Sequence, residues 1–174
     1  TLAAACSAGC DRAWLAALLD AMFFVGFGCG AAVLGAQSDL LGRRRACLRA
    51  CLWSCLPTLA SAFAPSVYIY AVLRAAAGFG VGGLGVCAFT LAAEFIGPSY
   101  QAATGVGQAL VFSTFELLLV PLAYLVPAWR PLTALASLLA AAQALIFWRL
   151  VEESPRWLMS QGKRVEANEL MLRV

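Results

Sequence analysis

Five apolar runs, separated by short polar turns, order this chain. They cover residues 14–34, 46–64, a stretch beginning near Tyr68 and Tyr70 and ending at about Phe95, then 103–125 and 131–149. Each is close to the roughly 20 apolar residues that a helix needs to cross a hydrocarbon layer of about 30 Å. The spacing therefore predicts about five transmembrane helices in an all-α membrane protein. The breaks carry turn chemistry: GAQSDLLGRRR at 35–45, Ala64-Pro65-Ser66, Gly97-Pro98-Ser99 and Trp129-Arg130-Pro131. Pro131 suits the first turn of a helix.

The charges orient the bundle. Arg43, Arg44, Arg45 and Arg49 crowd the first break, and Lys and Arg collect in cytoplasmic loops. With that break inside, strict alternation leaves residues 1–13 as the end of an extracellular loop, 14–150 as the helical bundle and 151–174 as the start of a cytoplasmic linker. Trp14 and Trp129 then lie outside and Trp148 and Trp157 inside, as two aromatic belts. Beyond Gly162, the apolar positions Val165, Leu170, Met171 and Val174 predict a short amphipathic helix on the bundle or at the lipid interface.

Composition agrees. Of 174 residues, 63% are hydrophobic and only 12% charged, which is a membrane balance rather than a soluble one. The formal net charge of +3 reflects topological markers, so no nucleic-acid partner is expected. There is no His, which excludes a Ser–His–Asp triad, a His-ligated metal and a His proton relay. No enzyme, metal or cofactor function is expected. The chain opens at Thr1 without an initiator Met, and it reads as a piece of a longer protein.

Seven Cys lack the spacing of a disulfide scaffold or a zinc site. Cys6 and Cys10, outside by this topology, are either oxidisable or free thiols. Cys47, Cys51 and Cys55 recur every fourth residue, which predicts a packing face; lipid attachment at Cys47 is the alternative. Gly26-xxx-Gly30 and Gly28-xxx-Ala32 in the first span, and Gly78, Gly80, Gly82, Gly83 and Gly85 in the third, predict close helix contacts.

Three charges fall within the spans. Each costs about 2.5–3.5 kcal/mol at a helix centre and so faces a cavity or a partner. Glu116 sits mid-membrane as a substrate-pathway group, a structural pair or a neutral acid. Asp20 and Arg74 lie at matching depths and are read as a pair, as outward-reaching groups, or as further lining of a pathway.

Three motifs carry a resemblance. Gly35, Asp39, Gly42, Arg43 and Arg44 match G-x-x-x-D-[RK]-x-G-[RK]-[RK], the signature between helices 2 and 3 of major facilitator transporters. Arg74-xxx-Gly78 and Glu94-xxx-Pro98 match the helix-4 patterns of its sugar and organic-ion branches, and Glu153-Ser154-Pro155-Arg156-Trp157-Leu158 matches their signature after helix 6. The opening Cys10-Asp11-Arg12-Ala13-Trp14 resembles the end of the large outer loop in the organic cation, anion and carnitine transporter family of solute carriers.

The resemblance implies helices 2 to 6 of twelve, a partial N-terminal six-helix half of the major facilitator fold. It implies transport of small organic ions by alternating access between two halves, with Asp20, Arg74 and Glu116 along the route. Gly35, Asp39, Gly42, Arg43, Arg44 and Glu94 would form a cytoplasmic gate motif, beside Glu153, Ser154, Pro155 and Arg156. The implied partners are the bilayer, a small organic ion, and helix 1 and the C-terminal half; the implied location is the plasma membrane. More acids than bases in the spans favour cationic or zwitterionic cargo. By itself this stretch is expected to transport nothing. Leu40 stands where the signature is basic, and Gln101 where the family carries Arg. Atypical members act as receptors or lack an established substrate, so a non-transporting receptor or interaction protein, or an inactive truncated product, is the alternative.

Overall fold

The computed structural model describes residues 13–96, 100–166 and 168. Cys6, Cys10 and the outer-loop motif up to Arg12, the Gly97–Ser99 turn, and Leu170, Met171 and Val174 of the expected terminal helix lie outside the described residues. Within them all regular structure is helical. The elements are α1 (Ala13–Leu41), α2 (Arg43–Ser61), α3 (Val67–Ile96), α4 (Gln101–Leu125), α5 (Trp129–Leu150) and α6 (Pro155–Ser160).

Four of these are long and apolar enough to cross a membrane: Trp14–Leu41, Val67–Ile96, Gln101–Leu125 and Arg130–Leu150. The helix expected at 46–64 forms as α2 but falls short on composition, because Arg43, Arg44, Arg45 and Arg49 load its first turns. It is instead the helix held between neighbours, with Ala46, Cys47, Ala50, Cys51, Ser54, Pro57 and Ser61 buried. Cys47 is fully buried, so the cysteine face packs and does not present a thiol for lipid attachment.

α1 corrects the expected boundary. It has 29 residues, about 43 Å at 1.5 Å per residue, so it overruns a core of about 30 Å by more than two turns. The expected loop at 35–45 is therefore helical except at Gly42. That one residue joins α1 to α2 at φ 102°, ψ 147°, a region open essentially to glycine alone.

The largest interface joins α1 to α3, and it is built backbone against backbone. A Cβ on Gly30 would overlap the Phe79 carbonyl, and one on Gly82 the Phe27 carbonyl. The Gly26/Gly30 step thus packs as expected, whereas Gly28 meets nothing within 4 Å and Ala32 is exposed. Next to this interface Leu34, Ala46, Cys47, Ala50, Cys87 and Leu91 form the buried core of α1, α2 and α3, flanked by Phe147 and Val151. That core sits against the arginine end. By contrast α4 leans on α3 and buries none of its residues.

Candidate functional site

The arginine end gathers the three motifs into one cluster. Where α1 overruns the core, Ser38 and Asp39 stand beside the start of α2, and Arg43 is the first residue beyond the Gly42 link. Arg43 Nη2 donates to Glu94 Oε1 at 3.0 Å, its Nε reaches both Glu94 oxygens at 3.3 Å, and its Nη1 donates to Ser38 Oγ at 3.0 Å. Nη1 also meets the Asp39 carboxylate. One guanidinium thus ties α1, α2 and the end of α3 together, using the planar fork that lysine lacks. The Arg43 and Glu94 side chains are 13% and 15% exposed, Asp39 68%. Burial opposes the charge on Arg43, but its hydrogen bonds to the Glu94 and Asp39 carboxylates outweigh that and raise its pKa above the ordinary arginine value.

The motif after α5 locks this cluster from the other side. Glu153 Oε1 accepts the backbone N–H of Arg44 at 2.9 Å and that of Ser154 at 3.2 Å. A carboxylate there satisfies a free donor at the N-terminus of α2, where the helix dipole favours an anion. Ser154 caps α6 by accepting from Trp157 N at 3.3 Å, with Pro155 at the first helical position. α6 then aims Trp157 Nε1 at the Asp39 carbonyl, 3.0 Å away. Arg44 Nη2 donates to the Trp148 carbonyl at 2.6 Å, a cation on the C-terminal turn of α5. Arg156 is exposed.

Gly42 is the keystone by space as well as by angle. A Cβ there would lie 2.5 Å from Glu153 Oε2 and 3.4 Å from the Trp157 ring. Gly42→Ala is therefore expected to lower stability by about 2–4 kcal/mol, combining backbone strain with a disturbed cap. Thermal unfolding of the detergent-solubilised protein measures this. A loss below about 0.5 kcal/mol would mean the link adapts freely.

The structure brings residues of the expected gate motif together but not the pathway candidates. The expected Asp20–Arg74 pair does not form: Arg74 lies over the Phe23 ring, 4.8 Å from its centroid, and Asp20 is exposed. Arg43 pairs with Asp39 and Glu94, and Lys163 with Glu166. An arginine two turns inside a span satisfies itself on an aromatic face when no carboxylate is in reach. Glu116 is exposed on the uncovered α4. A shallow groove of about 350 Å³ opens between α1, α3 and α4, with Phe27, Gly85, Phe89, Thr90 and Gln108 in its wall; none of the three charges lines it. Among the described residues no cluster of His, Cys, Asp or Glu suits a metal ion.

One residue and one short helix escape the sequence pattern, and one residue stands elsewhere than expected. Ser38 sits at an unspecified position of the first motif yet is 2% exposed and bonded to Arg43; nothing in its local pattern announces this. α6 was missed although Ser-Pro is a helix-start signal. Trp157, expected in the inner aromatic belt, instead clamps the end of α1. Leu40 is 76% exposed and Gln101 is exposed, so the two departures from the family pattern lie outside the Arg43 cluster.

Comparison with known proteins agrees with this geometry. A family model described as "Sugar (and other) transporter" matches residues 7–174. An Arabidopsis thaliana organic cation/carnitine transporter 4 is 38% identical over 163 residues, covering 93% of this chain and 31% of that protein. Human solute carrier family 22 member 13 is 34% identical over 162 residues, 93% of this chain and 29% of that protein. The chain thus spans about a third of the length of the curated relatives it matches. The E. coli xylose transporter XylE, in a partially occluded inward-open conformation, superposes with a TM-score of 0.83 at 22% identity, over 91% of this chain and 43% of that one; this likeness speaks for the fold. The chain is an integral membrane protein that belongs to the sugar (and other) transporter family of the major facilitator superfamily, a family of transporters and not of enzymes.

Proposed function

We propose that this chain forms one wall of a secondary transporter for small organic ions at the plasma membrane, cations or zwitterions being favoured. The Arg43–Asp39–Glu94 cluster acts in its cytoplasmic gate. The observation that carries the reading is the union of three transporter motifs at one end of the bundle, through Arg43 and Glu153. A fork that binds the ends of α1, α2 and α3 makes them move as one body, as a rocking half requires. Helix 1 and the C-terminal half would cover α4 and the groove, and residues 35–45 and 152–174 would face the cytoplasm. Since the Arg43 cluster closes without a cation at position 40 or 101, those departures do not favour the receptor reading.

Glu116 supplies the test. Cargo carrying a positive charge would meet it between α4 and the C-terminal half, and a hydrogen bond to a charged group contributes about 1.5–3 kcal/mol. In the full-length protein, Glu116→Gln is expected to lower cation kcat/KM about tenfold or more at unchanged surface expression, with neutral cargo affected less. A fall in expression together with uptake would point to a structural pair. Unaltered cation uptake would count against the pathway role.

A further inference from the structure

The exposed side of α2 combines two features that the Arg43 cluster does not use. Arg45 and Arg49, four residues apart, are both exposed, while the buried residues of α2 occupy the opposite side of the helix. Neither has a carboxylate within ion-pair distance among the described residues: Asp39 and Glu94 are taken by Arg43, and Glu153 is turned to the Arg44 amide. Immediately further along the same helix, Leu52, Trp53, Leu56 and Pro57 wall a wholly apolar groove of about 160 Å³. Leu52 is 55% and Leu56 61% exposed, so the groove opens outward. It begins three residues beyond Arg49, about 4.5 Å along the axis.

We propose that this face binds one anionic glycerophospholipid of the leaflet at the arginine end. Arg45 and Arg49 hold the phosphate-bearing headgroup, and an acyl chain lies in the groove beside Pro57. Charge complementarity selects the headgroup, because two guanidinium groups without a carboxylate partner among the described residues stand where helix polarity changes from charged to apolar. The wholly apolar wall selects a lipid over a soluble anion, since a free phosphate gains nothing from Leu52 or Leu56. Basic surfaces at the cytoplasmic ends of transmembrane helices attract such headgroups, and one nearby arginine is worth about fivefold in affinity. The bound lipid neutralises the excess charge that makes α2 the least membrane-like of the long helices, and so supports its insertion beside α3 and α5.

The test is lipid retention. Full-length protein taken from nanodiscs of equal phosphatidylglycerol and phosphatidylcholine is examined by native mass spectrometry. Phosphatidylglycerol is expected to be retained in preference. The Arg45→Gln/Arg49→Gln variant should lose about twenty-five-fold of that preference, two steps of about fivefold. Arg45→Lys/Arg49→Lys, equally exposed and still cationic, should keep it. Leu56→Gln, which spoils the groove and spares both charges, should lower retained phosphatidylglycerol. An unchanged ratio in the double Gln variant overturns the proposal. So does an equal fall on Arg164→Gln, which would mean charge anywhere suffices, or displacement by glycerol phosphate, which has no acyl chain.

Discussion

A valine at Gly30 is expected to prevent α1 from docking on α3, and folded protein should not accumulate. The Cβ would collide with the Phe79 carbonyl, which is main chain and moves only if α3 moves. Overpacking into yielding side chains costs about 1–3 kcal/mol, occasionally more. With backbone as the obstacle the cost should reach or exceed about 3 kcal/mol, across the largest interface in the bundle. Gly28→Val provides the control, since Gly28 has open space around it; an exposed site of this kind should shift stability by no more than about 0.5 kcal/mol. Fluorescence-detected gel filtration and thermal unfolding separate the two variants. If they behave alike, the glycine contact is not what holds α1 to α3.

Arg43→Ala is expected to cost about 3 kcal/mol, the lower part of the range for breaking a buried ion pair, because it leaves Glu94 at 15% exposure without its cation. Ser38 Oγ loses a donor at the same time. Asp39 contributes far less: at 68% exposure its pair is screened, and Asp39→Asn should cost under about 1 kcal/mol. Arg43→Lys should rescue only part of the loss, since an ammonium cannot serve Glu94, Ser38 and Asp39 through separate nitrogens. A double-mutant cycle of Arg43→Ala with Glu94→Ala, read by thermal unfolding, should show coupling above about 1 kcal/mol. Coupling near zero would mean that the two side chains lie together without holding the helices.

The spans and their charged turns were legible because they are made of residue types with few alternatives in hydrocarbon, whereas the family motifs were legible by resemblance. An arginine triplet must leave the membrane, and a Gly-rich span must pack. The helix ends were less legible. Nothing local distinguishes Ser38 and Asp39 on an overrunning helix from the same residues in a loop, since the helical choice is made by Arg43 and Trp157 reaching them from other elements. Asp20 and Arg74 show the same limit. Equal depth is one coordinate of three, and the angular position of each side chain around its helix decided that Arg74 meets Phe23.

The sequence by itself determined that the chain is a helical membrane protein, the order of its helices and the end at which positive charge collects. These follow from hydrophobic run length, charge and turn chemistry, all local properties. Tertiary structure alone decided that Glu153 caps α2, that Gly42 must lack a Cβ and that Arg45 and Arg49 share a face with an apolar groove. Those facts depend on which helix lies beside which, and at what rotation. They rest on contacts between residues as many as 118 positions apart, set by backbone approach at glycines and by the reach of one guanidinium.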